Sequence, residues 1–326
     1  MNLHFIGAVC MCIVGCGGET RDNFAPTPTP TQTAATRSAL DAAHDAYLAG
    51  DWIGLGERIH DVLLDPNAVK LAKENAYELL DKAYEAQRGT LPSTFVLPKS
   101  IAGTQYWQTR CSFGNGRPLQ YRFGFWMRVR AGAEVRELKV WRMPGETLLD
   151  KGTGLGKVQI KHVKDGFDDL VIERSGNTPV ADGVVSLRAV IDGEPPVEGW
   201  FITHGLNATS SPEVLSPSAT VTDANPVVSW SPFRSPEYAT FEGRTINVWV
   251  GHVDTNGGDG AQVWNFWSGN PADLGEVRVG AQPSASIATL TPGEYWLSVT
   301  GGERRSFGPV EMLRLSQTGR SFTVLR

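Results

Sequence analysis

Apolar side chains recur every three or four positions between residues 36 and 89, and at every second position from Leu91 onward. The first spacing gives one buried face of a helix, the second one buried face of a strand. The helical part also shows its punctuation. Ser38 and Asp41 make an approximate capping box for a run through Leu48, Gly50 stops that run, and Asp51 stands where it can cap the next. Trp52, Leu55, Ile59, Val62 and Leu63 form the second stripe. Asp65-Pro66 reads as an N-cap followed by proline at the first helical position of a third helix. Val69, Ala72, Ala76, Leu79, Leu80 and Ala83 are its apolar face, and Gly89 its end.

The alternation after Leu91 is clearest where Leu119, Tyr121, Phe123, Phe125, Met127 and Val129 interleave with Gln120, Arg122, Gly124, Trp126, Arg128 and Arg130. Further strand-like runs cover Val135–Trp141, Val158–Val163, Leu170–Glu173, Val184–Ile191 and Val197–Thr203. Turn pairs such as Asp182-Gly183 and Asp192-Gly193 separate them. A Ser/Pro-rich joint at 207–217 leads to a second set: Ile246–Val253, Gln262–Trp267, Ala285–Leu290, Tyr295–Val299, Glu311–Ser316 and Ser321–Leu325. Strands without intervening helices predict sandwiches. The expected fold is a multi-domain α+β arrangement, with a short three-helix segment (36–90) followed by two antiparallel β-sandwiches (91–206 and 207–326).

Two short patterns carry a resemblance in the second set. Pro226…Trp230 is similar to the second-strand tryptophan of fibronectin type III and immunoglobulin-like modules. Leu290-Thr291-Pro292-Gly293-Glu294-Tyr295 resembles their Leu-x-Pro-Gly-x-Tyr corner. That resemblance implies that Leu290 plugs the core and that the Tyr295 hydroxyl ties back to the backbone. It implies a fold and no ligand.

Before the helices lies a segment of another kind. Phe5–Gly15 carries no charge, is too short for a permanent membrane helix, and ends at a cysteine behind a small residue. Ile13-Val14-Gly15-Cys16 resembles the lipobox of bacterial lipoproteins. The resemblance implies residues 1–15 as a signal peptide, cleavage between Gly15 and Cys16, and a diacylglyceryl group on the Cys16 thiol. Cys10 and Cys12 follow Val9 and Met11 and lack the small neighbour, while Met1-Asn2-Leu3-His4 holds no Lys or Arg. An uncleaved apolar N-terminus or a displaced start is the alternative. Residues 16–35 hold the lipidated cysteine and a Pro/Thr tether that favours polyproline II, reaching up to about 60 Å. Gly17 after the cysteine, where inner-membrane lipoproteins often carry Asp, favours the outer membrane in a Gram-negative cell.

Composition sharpens this picture at two points. Of four cysteines, processing leaves Cys111 as the one thiol, so no intramolecular disulfide is expected. Cys111 itself reads as a small core filler. The charge of −5 is spread as −1 over 1–35, −4 over 36–90, +3 over 91–206 and −3 over 207–326, without a dense Lys/Arg cluster. Nucleic acid is therefore not an expected partner.

Ten tryptophans suggest stacking on sugar rings. Trp264 and Trp267 fall on opposite faces of one strand, and Trp249 falls opposite Ile246, Val248 and Val250. These three are the candidate ligand surface, against the alternative that two sheets simply bury large aromatics. Asp254, Asn256 and Asp259 make a weak calcium-loop candidate, with spacing one residue too long and no closing acid. A hairpin loop is the competing reading, and no metal is expected. Gly152-Thr153-Gly154-Leu155-Gly156-Lys157 lacks phosphate-loop spacing and reads as a loop. With no Gly-x-Ser-x-Gly and no His-Glu-x-x-His, no catalytic residue is assigned. The expectation is a lipid-anchored, non-catalytic envelope protein with a binding or structural role. Its partners are the membrane, through the lipid on Cys16 rather than any cofactor, and an unidentified envelope protein or polysaccharide. A carbohydrate-binding or adhesive lipoprotein is the alternative, and a hydrolase with a dispersed site comes third.

Overall fold

The computed structural model describes residues 34–112, 118–163, 165–205, 213–231, 245–253, 259–268, 275–280 and 289–325. The helices are α1 (Ala34–Ala49), α2 (Trp52–Leu64) and α3 (Lys70–Ala86). The first half of the strands comprises β1 (Thr90–Leu91), β2 (Ile101–Ser112), β3 (Gln120–Arg130), β4 (Val135–Arg142), β5 (Glu146–Asp150), β6 (Lys157–Val163), β7 (Phe167–Gly176), β8 (Gly183–Ile191) and β9 (Val197–Thr203). The second half comprises β10 (Val214–Ser216), β11 (Thr220–Val221), β12 (Val227–Trp230), β13 (Thr245–Val253), β14 (Asp259–Ser268), β15 (Glu276–Arg278), β16 (Gly293–Phe307) and β17 (Val310–Val324).

Helix boundaries follow the local chemistry, with two corrections. Gly50, at φ +70°, ends α1, and the Asp51 carboxylate accepts from the Gly54 N–H at 2.9 Å to cap α2. However, α1 begins at Ala34, so Ser38 lies inside the helix rather than capping it. Asp65 does not cap α3 either. Its carboxylate accepts from the Asn67 N–H at 2.8 Å, its carbonyl from the Ala68 N–H, and α3 starts at Lys70 behind Val69. The Asp65-Pro66 pair spends its turn propensity on an Asx turn, which removes the expected cap.

Among the described residues the strands form three sheets. The largest runs β14-β13-β16-β17-β2-β3-β7-β6, while β5-β4-β8-β9 and β10-β12-β15 are smaller. Here the layout departs from two separate antiparallel sandwiches. Strand β17 pairs in parallel with β2, from Val310↔Thr104 through Thr318↔Ser112, so one curled sheet crosses the joint at residues 206–207. Two apolar cores nevertheless remain distinct.

The first core gathers the helices, β2–β5, β7–β9 and the tip of the β16–β17 hairpin. The β5-β4-β8-β9 sheet packs on the large sheet with one face and on α2 with the other, while α2 and α3 also touch the large sheet directly at Phe307 and Arg305. Phe201 of β9 meets Tyr106 of β2 at 5.3 Å, and Trp200, one residue earlier, meets His60 of α2 at 4.4 Å. The second core gathers β10, β12 and β15 against β13, β14 and the other half of the hairpin. Trp230 and Leu290 are buried in it, and the Tyr295 hydroxyl donates to the Thr291 carbonyl at 2.8 Å. The corner therefore makes the bond that the fibronectin-like resemblance implies.

One hairpin serves both cores because its inner face changes character along its length. Tyr295, Leu297, Val299, Phe322 and Val324 enter the second core, and Phe307, Val310 and Met312 enter the first. Between them lie Glu303, Arg305, Arg314 and Ser316, all buried. This polar waist separates two hydrophobic ends within each fifteen-residue strand.

Candidate functional site

On the opposite face of the large sheet, register brings together side chains that are distant in sequence. Strand alternation places Gln105, Trp107 and Thr109 of β2, Arg122 and Trp126 of β3, and Val171 and Glu173 of β7 on one surface. Leu313, Leu315 and Gln317 of β17, Thr300 of β16, Asn247 of β13 and Trp267 of β14 continue it. Two hollows open there. The first, about 410 Å³, is largely apolar and is lined by Gln105, Trp107, Trp126, Val171, Leu313 and Leu315. The second, about 360 Å³, shares Trp107, Leu313 and Leu315 and adds Arg122, Glu173, Asn247 and Trp267 among its lining groups.

Curvature makes the second hollow possible. Trp267 and Trp107 are separated by four strand steps and four residues of register, which in a flat sheet is roughly 23 Å. Both line one cavity, so the curl of the sheet brings its wings towards each other.

The indoles lie down on glycines. A Cβ on Gly124 would run into the Cζ2 edge of Trp107, and one on Gly103 would come within 3.3 Å of Cζ3 of Trp126. The missing side chains let both rings rest against the sheet. Trp126 is further fixed by Arg128, whose guanidinium carbon lies 5.3 Å from the ring centroid. Arg128 donates to both oxygens of Asp169 at 2.8 and 3.1 Å, and that hydrogen bonding, chiefly, holds the Asp169 carboxyl below its ordinary range.

The candidate tryptophans part company. Trp267 is 53% exposed and lines the second hollow. Trp249 is half-buried and packs with Trp296, Val253 and the buried Cys111, whose Sγ lies 3.4 Å from Gln317 Oε1. Trp264 is 0% exposed, in the second core, and this removes it from the ligand surface. Its strand alternation was sound, but its face is the one that the β10-β12-β15 sheet covers. Trp107 and Trp126 replace it. Trp126 was visible as the one tryptophan on the polar side of β3, and Trp107 was hidden because β2 lacks clean alternation. Cys16, Gly15, Asp254 and Asn256 lie outside the described residues, as does the Asp259 side chain.

A second cluster of charge sits beside the waist. The His204 imidazole stacks on Tyr77 at 4.2 Å between centroids, with Nε2 3.2 Å from Asp81 and Nδ1 3.3 Å from Asp182. Arg305 also reaches Asp81, at 3.0 Å, and its guanidinium carbon lies 4.6 Å from the Tyr84 ring centroid. Burial alone would push the His204 pKa down, but the hydrogen bonds and charges of Asp182 and Asp81 outweigh it and lift the pKa to about 9. Both ring nitrogens face carboxylates. An imidazolium so held has no lone pair with which to accept a proton from a hydroxyl nucleophile.

Its charge instead stabilises the fold, in a defined pH window. With a folded pKa of about 9 against an ordinary 6.5, the contribution is fully present below pH 6.5 and is lost as pH rises through 9. With His204 22% exposed, the total is up to about 3 kcal/mol. Burial and then the Asp182 charge push the Tyr77 hydroxyl up, so it stays protonated across this window. Urea midpoints are expected to fall between pH 6.5 and 9.5 in the wild type, and His204→Gln should show a much shallower fall. Parallel curves for the two would contradict this account.

No family model and no curated protein matches the chain. Among solved structures, it is similar to murine CEACAM1b at 12% identity, over 68% of this chain and 98% of that one, with a TM-score of 0.19. It is similar to a mutant Salmonella alpha-2-macroglobulin at 11% identity, over 70% and 16%, with a TM-score of 0.21. The three N-terminal domains of the bacteriophage RB49 outer capsid protein Hoc align at 6% identity over 68% and 71%, with a TM-score of 0.18. At such scores these likenesses carry no argument, and the fold rests on the register and cores of the chain itself.

Proposed function

We propose that this chain is a lipid-anchored protein of the bacterial cell envelope with a non-catalytic binding role, and that the outer face of the large sheet meets its ligand. The β-rich part is read as two immunoglobulin- or fibronectin III-like modules fused through the β16–β17 hairpin. The observation that carries the binding role is the convergence of Trp107, Trp126 and Trp267 on adjoining hollows of one curled sheet. Trp267 is exposed and Trp107 and Trp126 are half-buried, so each keeps part of its indole open to these hollows. The anchor rests on the lipobox resemblance at Ile13–Cys16 and the Pro/Thr tether behind it.

Labelled palmitate should enter the wild-type protein and not Cys16→Ala, and equal labelling of both would remove the anchor. For the face, oxidative footprinting in isolated envelopes should protect Trp267 relative to the purified protein. Equal oxidation in the two samples would count against a ligand there.

A further inference from the structure

We propose that the ligand of this face is a polysaccharide, bound as an extended chain across both hollows with Trp107 as the stacking platform at their shared rim. This rests on the reading of the face as a ligand surface and adds the chemical class of what it holds.

A pyranose ring presents two kinds of surface. One or both faces are sheets of polarised C–H groups, complementary to the electron-rich face of an indole, and the edge is a rim of hydroxyls that both donate and accept. Trp107 and Trp126 are laid against the sheet by Gly124 and Gly103 and line the first hollow as flat aromatic walls. The second hollow supplies rim chemistry: Asn247, Thr109, Thr300 and Gln317 carry donors and acceptors on single side chains, and Arg122 and Glu173 provide one charge of each sign. Gln317 is held in place through its amide N–H, which donates to Ser298 Oγ at 2.7 Å. The two hollows share Trp107, Leu313 and Leu315, and each lies near the lower end of the size range of small-ligand sites. A ligand touching Trp126 and Trp267 together therefore spans more than one sugar ring.

The same features disfavour other occupants. A peptide strand recognises a sheet through open backbone edges, but the strands under the two hollows, β13, β16, β17, β2, β3 and β7, each have a paired strand on both sides, and of the lining strands only β14, at the Trp267 end, is an edge among the described residues. An anionic polymer calls for a surplus of cations, and the lining has Arg122 balanced by Glu173. An acyl chain calls for an enclosed apolar tunnel, whereas the second hollow is polar.

The test is a glycan array probed with the full-length lipidated protein in detergent, followed by titration of the best-binding soluble oligosaccharide, short against longer members of its series. Affinity should rise with chain length and quench tryptophan fluorescence. Trp107→Ala should weaken binding about tenfold or more, as expected for loss of a ring stack. Gly124→Ala keeps the indole but lifts it off the sheet, and it should also weaken binding. Leu71→Ser, on an exposed helix position away from the face, should leave binding unchanged. Thermal melts identify any variant whose loss comes from unfolding, and the Gly124→Ala and Trp107→Phe variants then carry the comparison. No binding on the array, or binding indifferent to both Trp107→Ala and Gly124→Ala, overturns the proposal. If Trp267 stays protected in envelopes and the protection disappears on protease treatment of the envelope, the ligand is a protein: the glycan class falls and the binding face stands. If Trp267 is never protected, both fall.

Discussion

Arg314→Met is expected to lower the unfolding free energy by about 3–5 kcal/mol, measured as the urea midpoint multiplied by the transition slope. Arg314 and Glu303 are cross-strand partners at the waist of the hairpin, each side chain 3% exposed, with Nη2 3.1 Å from the carboxylate. Arg314 also donates to the Gly205 carbonyl, where the chain leaves β9. Methionine keeps the bulk of the stem but leaves the Glu303 carboxylate buried without this cation, and the carbonyl without this donor. The loss measures that uncompensated desolvation rather than the strength of the pair. The double variant Glu303→Leu/Arg314→Met therefore recovers a substantial part of the stability, because both desolvated charges are gone. Single variants within experimental error of wild type would show that water reaches the waist and that the two cores are joined by apolar packing alone.

That waist also explains what the sequence concealed. Helices α1 to α3, the β3, β4, β6, β8 and β9 runs and the Tyr295 corner were legible, because each is a local pattern with its own punctuation. The long hairpin was not. Gly301-Gly302-Glu303-Arg304-Arg305 reads as a turn, and Gln317-Thr318-Gly319-Arg320 interrupts the alternation between Leu315 and Phe322. Both are interior to strands whose polar centre pairs with itself and with Asp81 and Gly205. Reading β16 as Tyr295–Val299 alone and β17 as two short runs also hid the parallel β17–β2 pairing, since a parallel partner more than two hundred residues away leaves no turn signal.

The proposed ligand face was half legible for the same reason. Strand alternation tells which side chains share a face, and it separated Trp264 from Trp267. It does not tell which face another sheet will cover. Trp107 and Trp267 line one hollow through the curl of a sheet whose β17–β2 pairing is itself non-local. The paired glycines were the available clue. Gly103 and Gly124 stand within strands, where glycine weakens pairing and marks close approach by another group. Here that group is an indole.

Trp264→Ala is expected to cost about 3–5 kcal/mol and to lose ligand binding only by unfolding the second core. Trp264 is wholly buried, stands opposite Val250 in the β13–β14 ladder and lies near-parallel to Phe266, with centroids 6.4 Å apart. Alanine leaves a cavity beside Phe266 in the second core that a two-sheet core closes poorly. Trp264→Phe should cost far less. It retains most of the apolar area and removes an indole N–H that meets no acceptor among the described residues. Trp267→Ala, two strand positions past Phe266's neighbour on the solvent side, should change stability by no more than about 0.5 kcal/mol, as for other exposed surface changes. It should weaken binding in protein that melts normally. The pair thus separates folding from recognition within one strand. If Trp264→Ala instead melts like the wild type while Trp267→Ala unfolds, the register of β14 is shifted by one residue, and the ligand face must be redrawn with it.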